Sequence, residues 1–201
     1  MSTTLLFVEL LIIGVEVTLW MLLLALAVFD LSWLKAAATT GWENVLTVLF
    51  LAICYTTGIL FDRFADWVFS GASEHLKERI IPNPPEPYVV MRFKAAKGDE
   101  YLNRLFEYIR SRMRIARASA INLPLIAVFG LILVATRATS ISQSAKLGLF
   151  ITIPVFGVAF TMLALFSWHR LMSAHLRLVK SSYEGAKLKE TPSTGTSHTD
   201  E

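Results

Sequence analysis

Cysteine is nearly absent from this 201-residue chain: Cys54 stands alone. No intrachain disulfide can form, and the ligands of a cysteine-based zinc site are missing. Also missing are a glycine-rich phosphate loop, a dinucleotide fingerprint, the His-Glu-x-x-His zinc pattern and any recognisable Ser/His/Asp arrangement. His169 and His175 are not at a usual metal spacing. No cofactor and no metal is expected. Charged residues are only 17% of the chain, and four long stretches are almost free of them.

Those stretches are Leu5–Phe29, Val45–Phe61, Ala120–Ala135 and Leu147–Phe166. A bilayer-spanning helix needs about 20 mostly apolar residues. Three of the four approach that length, and the third reaches it with Ala118 or Ser119 at one end. The mean hydropathy of +0.53 agrees. The predicted fold is an all-α integral membrane protein with four transmembrane helices and a cytoplasmic helical extension between spans two and three. The bundle occupies residues 1–183 and includes a cytoplasmic loop over 70–119. Residues 184–201 read as a disordered polar tail, rich in Thr and Ser.

Lys and Arg gather between Arg63 and Arg117 and between Arg170 and Lys189, while the other two connections carry only Lys35, Arg137 and Lys146. The positive-inside rule then places the long loop and both termini in the cytoplasm, in a cell (inner) membrane. Ala25-Leu26-Ala27 resembles a signal-peptide cleavage site, but there is no basic n-region, two acids interrupt the apolar stretch, and the stretch is too long. The first span is read as retained.

That span carries a row of acids. Glu9, Glu16 and Asp30 share one heptad register, with Leu23 at the remaining step. Seventeen Leu, Ile, Val or Phe residues, at roughly −0.3 to −0.6 kcal/mol each, outweigh one central acid at about +3 kcal/mol. Glu9 and Asp30 are about 31 Å apart along a helix, so they can mark the two membrane surfaces. Glu16 alone must be submerged. Threading puts Glu16 level with Tyr55 and Thr56, and Glu9 level with Asp62, Arg63 and Asp66. Asn122 and His169 enter at the same end.

Past the second span, Glu74–Ile81 is predicted as a short helix. The run Pro82-Asn83-Pro84-Pro85-Glu86-Pro87 breaks it, and Tyr88–Phe93 is a brief β-prone segment. A long helix starts near Asp99. Its apolar stripe is Leu102, Leu105, Phe106, Ile109, Met113 and Ala116. Arg110, Arg114 and Arg117 form an adjacent basic stripe, with Glu107 placed to pair with Arg110. Together with Arg112, this face suits lipid headgroups or phosphate. Arg170 and His175, with four residues between them, have a spacing that resembles the short motif of HEPN-type ribonucleases. That resemblance covers two residues of one helix and would imply RNA cleavage. The chain lacks the soluble helical domain that would carry it, so the plainer reading is a solvated basic helix, and nucleic acid is an unlikely partner.

The polar set Glu9, Glu16, Tyr55, Asp62, Arg63, Asp66, Asn122 and His169 allows two readings. One is a vestibule of an ion-permeable path in a homo-oligomer, with Glu16 as its deepest charge. The other is a packing staple, with Glu16 bonded to Tyr55 or Thr56 and Glu9 paired with Arg63. The leading functional expectation is a small oligomeric protein forming or gating such a path. The alternative is a membrane anchor or assembly subunit that docks a cytoplasmic protein through the stripe from Leu102 to Met113. A lipid-acting enzyme using Asp62 and Asp66 ranks third. Membrane lipids are partners in every case.

Overall fold

The structure is a computed structural model and describes residues 3–29, 43–137 and 142–190. The described residues form five helices: α1 (Thr3–Val28), α2 (Glu43–Ile80), α3 (Tyr88–Ala96), α4 (Glu100–Arg137) and α5 (Gln143–Glu190). Among the described residues there is no strand. All but α3 are long and apolar enough to cross a membrane. Asp30, the first interhelix turn through Gly41, and residues 191–201 of the expected tail lie outside the described residues.

Helix length explains the architecture. The 38 residues of α2, the 38 of α4 and the 48 of α5 extend about 57, 57 and 72 Å at 1.5 Å per residue. A hydrocarbon core is about 30 Å thick. Each of these helices therefore continues well past one end of the bundle, the end where Lys and Arg concentrate. The segment Glu74–Ile80 is accordingly the last two turns of α2 and not a separate helix. Nothing between Phe61 and Ile80 breaks the helix, and the first proline comes at Pro82.

Within the apolar region α1 packs against both α2 and α4, and α5 packs against α4. The α1–α2 crossing depends on small residues. A Cβ added to Gly14 would collide with the Cys54 backbone carbonyl, and one added to Gly58 would collide with the Leu10 carbonyl. Thr18, one turn from Gly14, donates to the Gly14 carbonyl at 2.7 Å, and Cys54 Sγ donates to Thr18 Oγ1 at 3.4 Å. Close backbone approach of this kind replaces the hydrophobic drive that lipid cannot supply between helices.

At the basic end the extensions of α2, α4 and α5 fold with α3 into a helical cap with its own core. Leu76, Ile81, Met91, Phe106, Leu176, Val179 and Tyr183 are buried together. The segment Tyr88–Phe93 is thus helical, where local β-propensity predicted an extended run. Met91 and Ala95, one turn apart, face this core, and that burial outweighs propensity. The Pro87 carbonyl accepts the Val90 and Met91 N–H groups at the start of α3. Gly98, at φ +83°, turns the chain between α3 and α4. Asp99 Oδ1 then accepts the Leu102 N–H at 2.9 Å and caps α4. Helix α5 runs past Glu184, the expected start of the polar tail, as far as Glu190.

His175 lies inside this cap and is not solvated, because Phe106 meets its ring edge-on at 5.3 Å and Tyr88 flanks it at 6.4 Å. It stands nine residues beyond Phe166, outside the span. Burial, with Arg92 and Arg110 nearby, pushes its pKa down to about 4. Burial also pushes Tyr88 up to about 12. The folded His175 therefore stays neutral where the unfolded imidazole, near 6.5, takes a proton. Its contribution to stability is complete above pH 6.5 and declines as pH falls toward 4, by on the order of 2–3 kcal/mol. Thermal unfolding of the detergent-solubilised protein should show this loss between pH 7 and 4.5. His175→Leu should remove most of the difference.

Candidate functional site

Glu16 occupies the same face of α1 as Glu9, two turns away, and that face meets α4. Ser119 Oγ donates to Glu16 Oε1 at 2.7 Å, and Asn122 Nδ2 donates to Oε2 at 3.2 Å. Asn122 is fully buried. Its own Oδ1 accepts the Trp20 indole N–H at 3.1 Å, and Trp20 stacks on Phe129 at 5.6 Å. The depth expected for Glu16 agrees with these partners, but the neighbour differs. Tyr55 instead stacks near Phe7 at 5.1 Å, and Thr56 donates to the Ala52 carbonyl of its own helix. Heptad spacing places Glu16 along the helix axis, and only helix packing decides which neighbour its face meets.

One helical step toward the basic end, the carboxylates meet arginines. Arg117 Nη1 donates to Asp66 Oδ1 at 2.5 Å, and its Nη2 lies 3.4 Å from Asp62 Oδ1. Arg114 stands 4.0 Å from both Glu9 and Asp62. Glu9 thus pairs with Arg114 of α4 where the sequence suggested Arg63 of α2. Glu9 is only 3% exposed, and neither of its carboxylate oxygens has a hydrogen-bond partner. The cluster ties α1, α2 and α4 together at the level where the spans end.

Beside it lies a cleft of about 180 Å³ between α2, α4 and α5. Asp62, Arg63, Asp66, Lys77, Arg110, Arg114 and Arg117 supply its charges, and Met113, Trp168 and Met172 its apolar wall. Trp168 is itself wedged against Phe69, ring centroids 4.8 Å apart. Of the predicted polar set and basic stripe, the structure gathers Asp62, Arg63, Asp66, Arg110, Arg114 and Arg117 here, with Glu9 adjoining through Arg114. Glu16 and Asn122 form the deeper network. His169 is exposed in a different groove, beside Arg79 and Arg177. Arg112 is exposed and stacks on Tyr108 at 5.3 Å, outside the cleft. Among the described residues no three His, Cys, Asp or Glu side chains converge as for a metal.

The stripe from Leu102 to Met113 is partly used internally, with Leu105 and Ile109 half-buried. Phe106 is fully buried, and Leu102 and Met113 pack on the cap core. Sequence reasoning missed Ser119 and Trp20. Ser119 and Asn122 are three apart on one face of α4, a polar pair at the mouth of an apolar span, and that spacing was the available signal. The chain matches no protein-family model, no curated protein and no solved structure.

Removing one partner from each network should destabilise the bundle. Glu16→Leu strands the Ser119 hydroxyl and the Asn122 amide, and should cost about 1–3 kcal/mol. Glu16→Gln keeps an acceptor and should cost less. Arg117→Leu removes Asp66's partner and leaves buried Asp62 with only the 4.0 Å neighbour Arg114, and should cost about 3 kcal/mol. Thermal unfolding midpoints in mild detergent rank the three variants.

Proposed function

We propose that this four-helix membrane protein is a non-catalytic anchored platform, its helical cap facing the cytoplasm and docking a protein partner. The observation that carries this reading is the separate core of the cap. Three membrane helices continue into a folded unit that transport across the bilayer would not require. On its surface Val89 and Phe93, one turn apart on α3, remain 76% and 71% exposed. They are preferred to the Leu105–Ile109 face as the docking surface because Leu105 and Ile109 are half-buried. The deep polar groups are bonded within the chain, which favours a structural role for Glu16. Asp62 and Asp66 are held by Arg117, which leaves little support for a lipid-acting enzyme.

One observation favours an ion or proton path as a second reading. The Glu9 carboxylate is buried without a hydrogen bond, two turns from Glu16 on the same helix face. An acid in a membrane segment is a candidate for an ion pathway, and this one has only Arg114, at 4.0 Å, beside it. A complete path would need further copies of the chain, and the apolar flank of α5, with Phe156 and Phe160 exposed, is where they would join.

Two measurements separate the readings. Crosslinking in native membranes should capture a partner with the unmodified chain and with Glu16→Gln, and lose it with Phe93→Asp. Retention by Phe93→Asp would sink the platform reading. Protein reconstituted in liposomes should carry no ion or proton flux above empty vesicles. A flux abolished by Glu16→Gln or Glu9→Gln would establish the path instead.

A further inference from the structure

We infer that the cleft between α2, α4 and α5 is a binding site for a phosphate oxyanion, supplied by an anionic lipid headgroup or by free phosphate. The inference is independent of the platform reading, because it concerns a different surface and a different class of ligand.

Charge is the first ground. Five cationic side chains, Arg63, Lys77, Arg110, Arg114 and Arg117, line the cleft against two carboxylates, Asp62 and Asp66. Both carboxylates are engaged by Arg117, and Asp62 also lies 4.0 Å from Arg114. Lys77 has a surface neighbour in Glu74 at 3.9 Å. The lining therefore keeps a net excess of three positive charges, five against two. Burial and the neighbouring charges of Arg114 and Arg92 depress the pKa of Arg110, and an anion between these groups would relieve the repulsion.

An unmet donor is the second ground. Arg117, on the cleft wall, keeps a buried Nε–H without an acceptor. A guanidinium fork matches phosphate oxygens in geometry as well as charge. The space suffices: at about 30 Å³ per water, 180 Å³ holds roughly six waters or one tetrahedral anion with part of its hydration.

Depth is the third ground. Asp62 directly follows the last residue of span two, Arg117 precedes span three by three residues, and Trp168 follows span four by two. The cleft thus sits at headgroup level, with Met113, Trp168 and Met172 offering apolar contact to the rest of a lipid. A general attraction of basic residues to anionic membranes would use exposed side chains such as Arg112 equally. A built cleft would not.

The test uses the full chain in uncharged detergent, with thermal unfolding followed against short-chain phosphatidic acid, inorganic phosphate and short-chain phosphatidylcholine. Saturable stabilisation by phosphatidic acid alone supports the site and names a lipid source. The same response to inorganic phosphate supports it and names a free anion. In either case Arg63→Gln with Arg110→Gln should weaken the apparent affinity by about tenfold or more. These two arginines are chosen because they are not in the Arg114 and Arg117 ion pairs. Arg112→Gln should change the affinity less than about twofold. The inference is overturned if neither phosphate probe stabilises the protein, or if phosphatidylcholine does so equally. It is also overturned if the double variant binds as before, or if Arg112→Gln weakens binding as much.

Discussion

Arg114 and Arg117, one turn apart on α4, hold the three carboxylates that α1 and α2 bring to the end of the bundle. Glu9 and Asp62 are buried, and a buried carboxylate without a partner would cost several kcal/mol; Asp66 is exposed and takes the outer end of Arg117. The pairing also sets geometry. It draws α1 and α2 to α4 at the end of the apolar bundle, and so sets where the extensions of α2, α4 and α5 depart from it. The cap beyond can pack only if those exits are placed correctly. Buried ion pairs are seldom a net source of stability. Their value here is in specifying which helices meet and at what level.

Deeper in the bundle a second polar connection repeats the same α1–α4 contact in neutral and charged hydrogen bonds. Trp20, Asn122, Glu16 and Ser119 form one chain in which each member has a partner. In hydrocarbon such groups have no water to fall back on, so the network favours one rotation of α1. The opposite side of α1 is pinned to α2 by Gly14 and Thr18 against Cys54 and Gly58. Helix α1 thus presents a polar face to α4 and small residues to α2. These constraints suit a rigid support for the cap, with a cationic cleft at the junction.

Much of this was legible in the residues. Four apolar stretches, their boundaries at Asp62 and Arg117, the break at Pro82–Pro87 and the start of a long helix near Asp99 follow from hydropathy, charge and local backbone chemistry. The grouping of Glu9, Asp62, Asp66 and Arg117 at one level followed from counting residues along antiparallel helices. Where the expectation and the structure diverge, the cause is rotation or long-range burial. Glu16 met Ser119 and Asn122 where Tyr55 and Thr56 were expected. Tyr88–Ala96 became helical because Met91 and Ala95 had a core to enter.

The sequence by itself determined the axial coordinates of this protein: which segments can enter a membrane, where each span ends, and which charges share a depth. Those follow from a fixed rise per residue and from the cost of placing charge in hydrocarbon. The tertiary structure decided the azimuths: which face of α1 meets which helix, that Phe106 of α4 enters the cap core, that His175 is buried, and that five cations line one cleft. Rotation of a helix about its axis leaves its hydropathy profile unchanged, so only the contacts among helices could choose it.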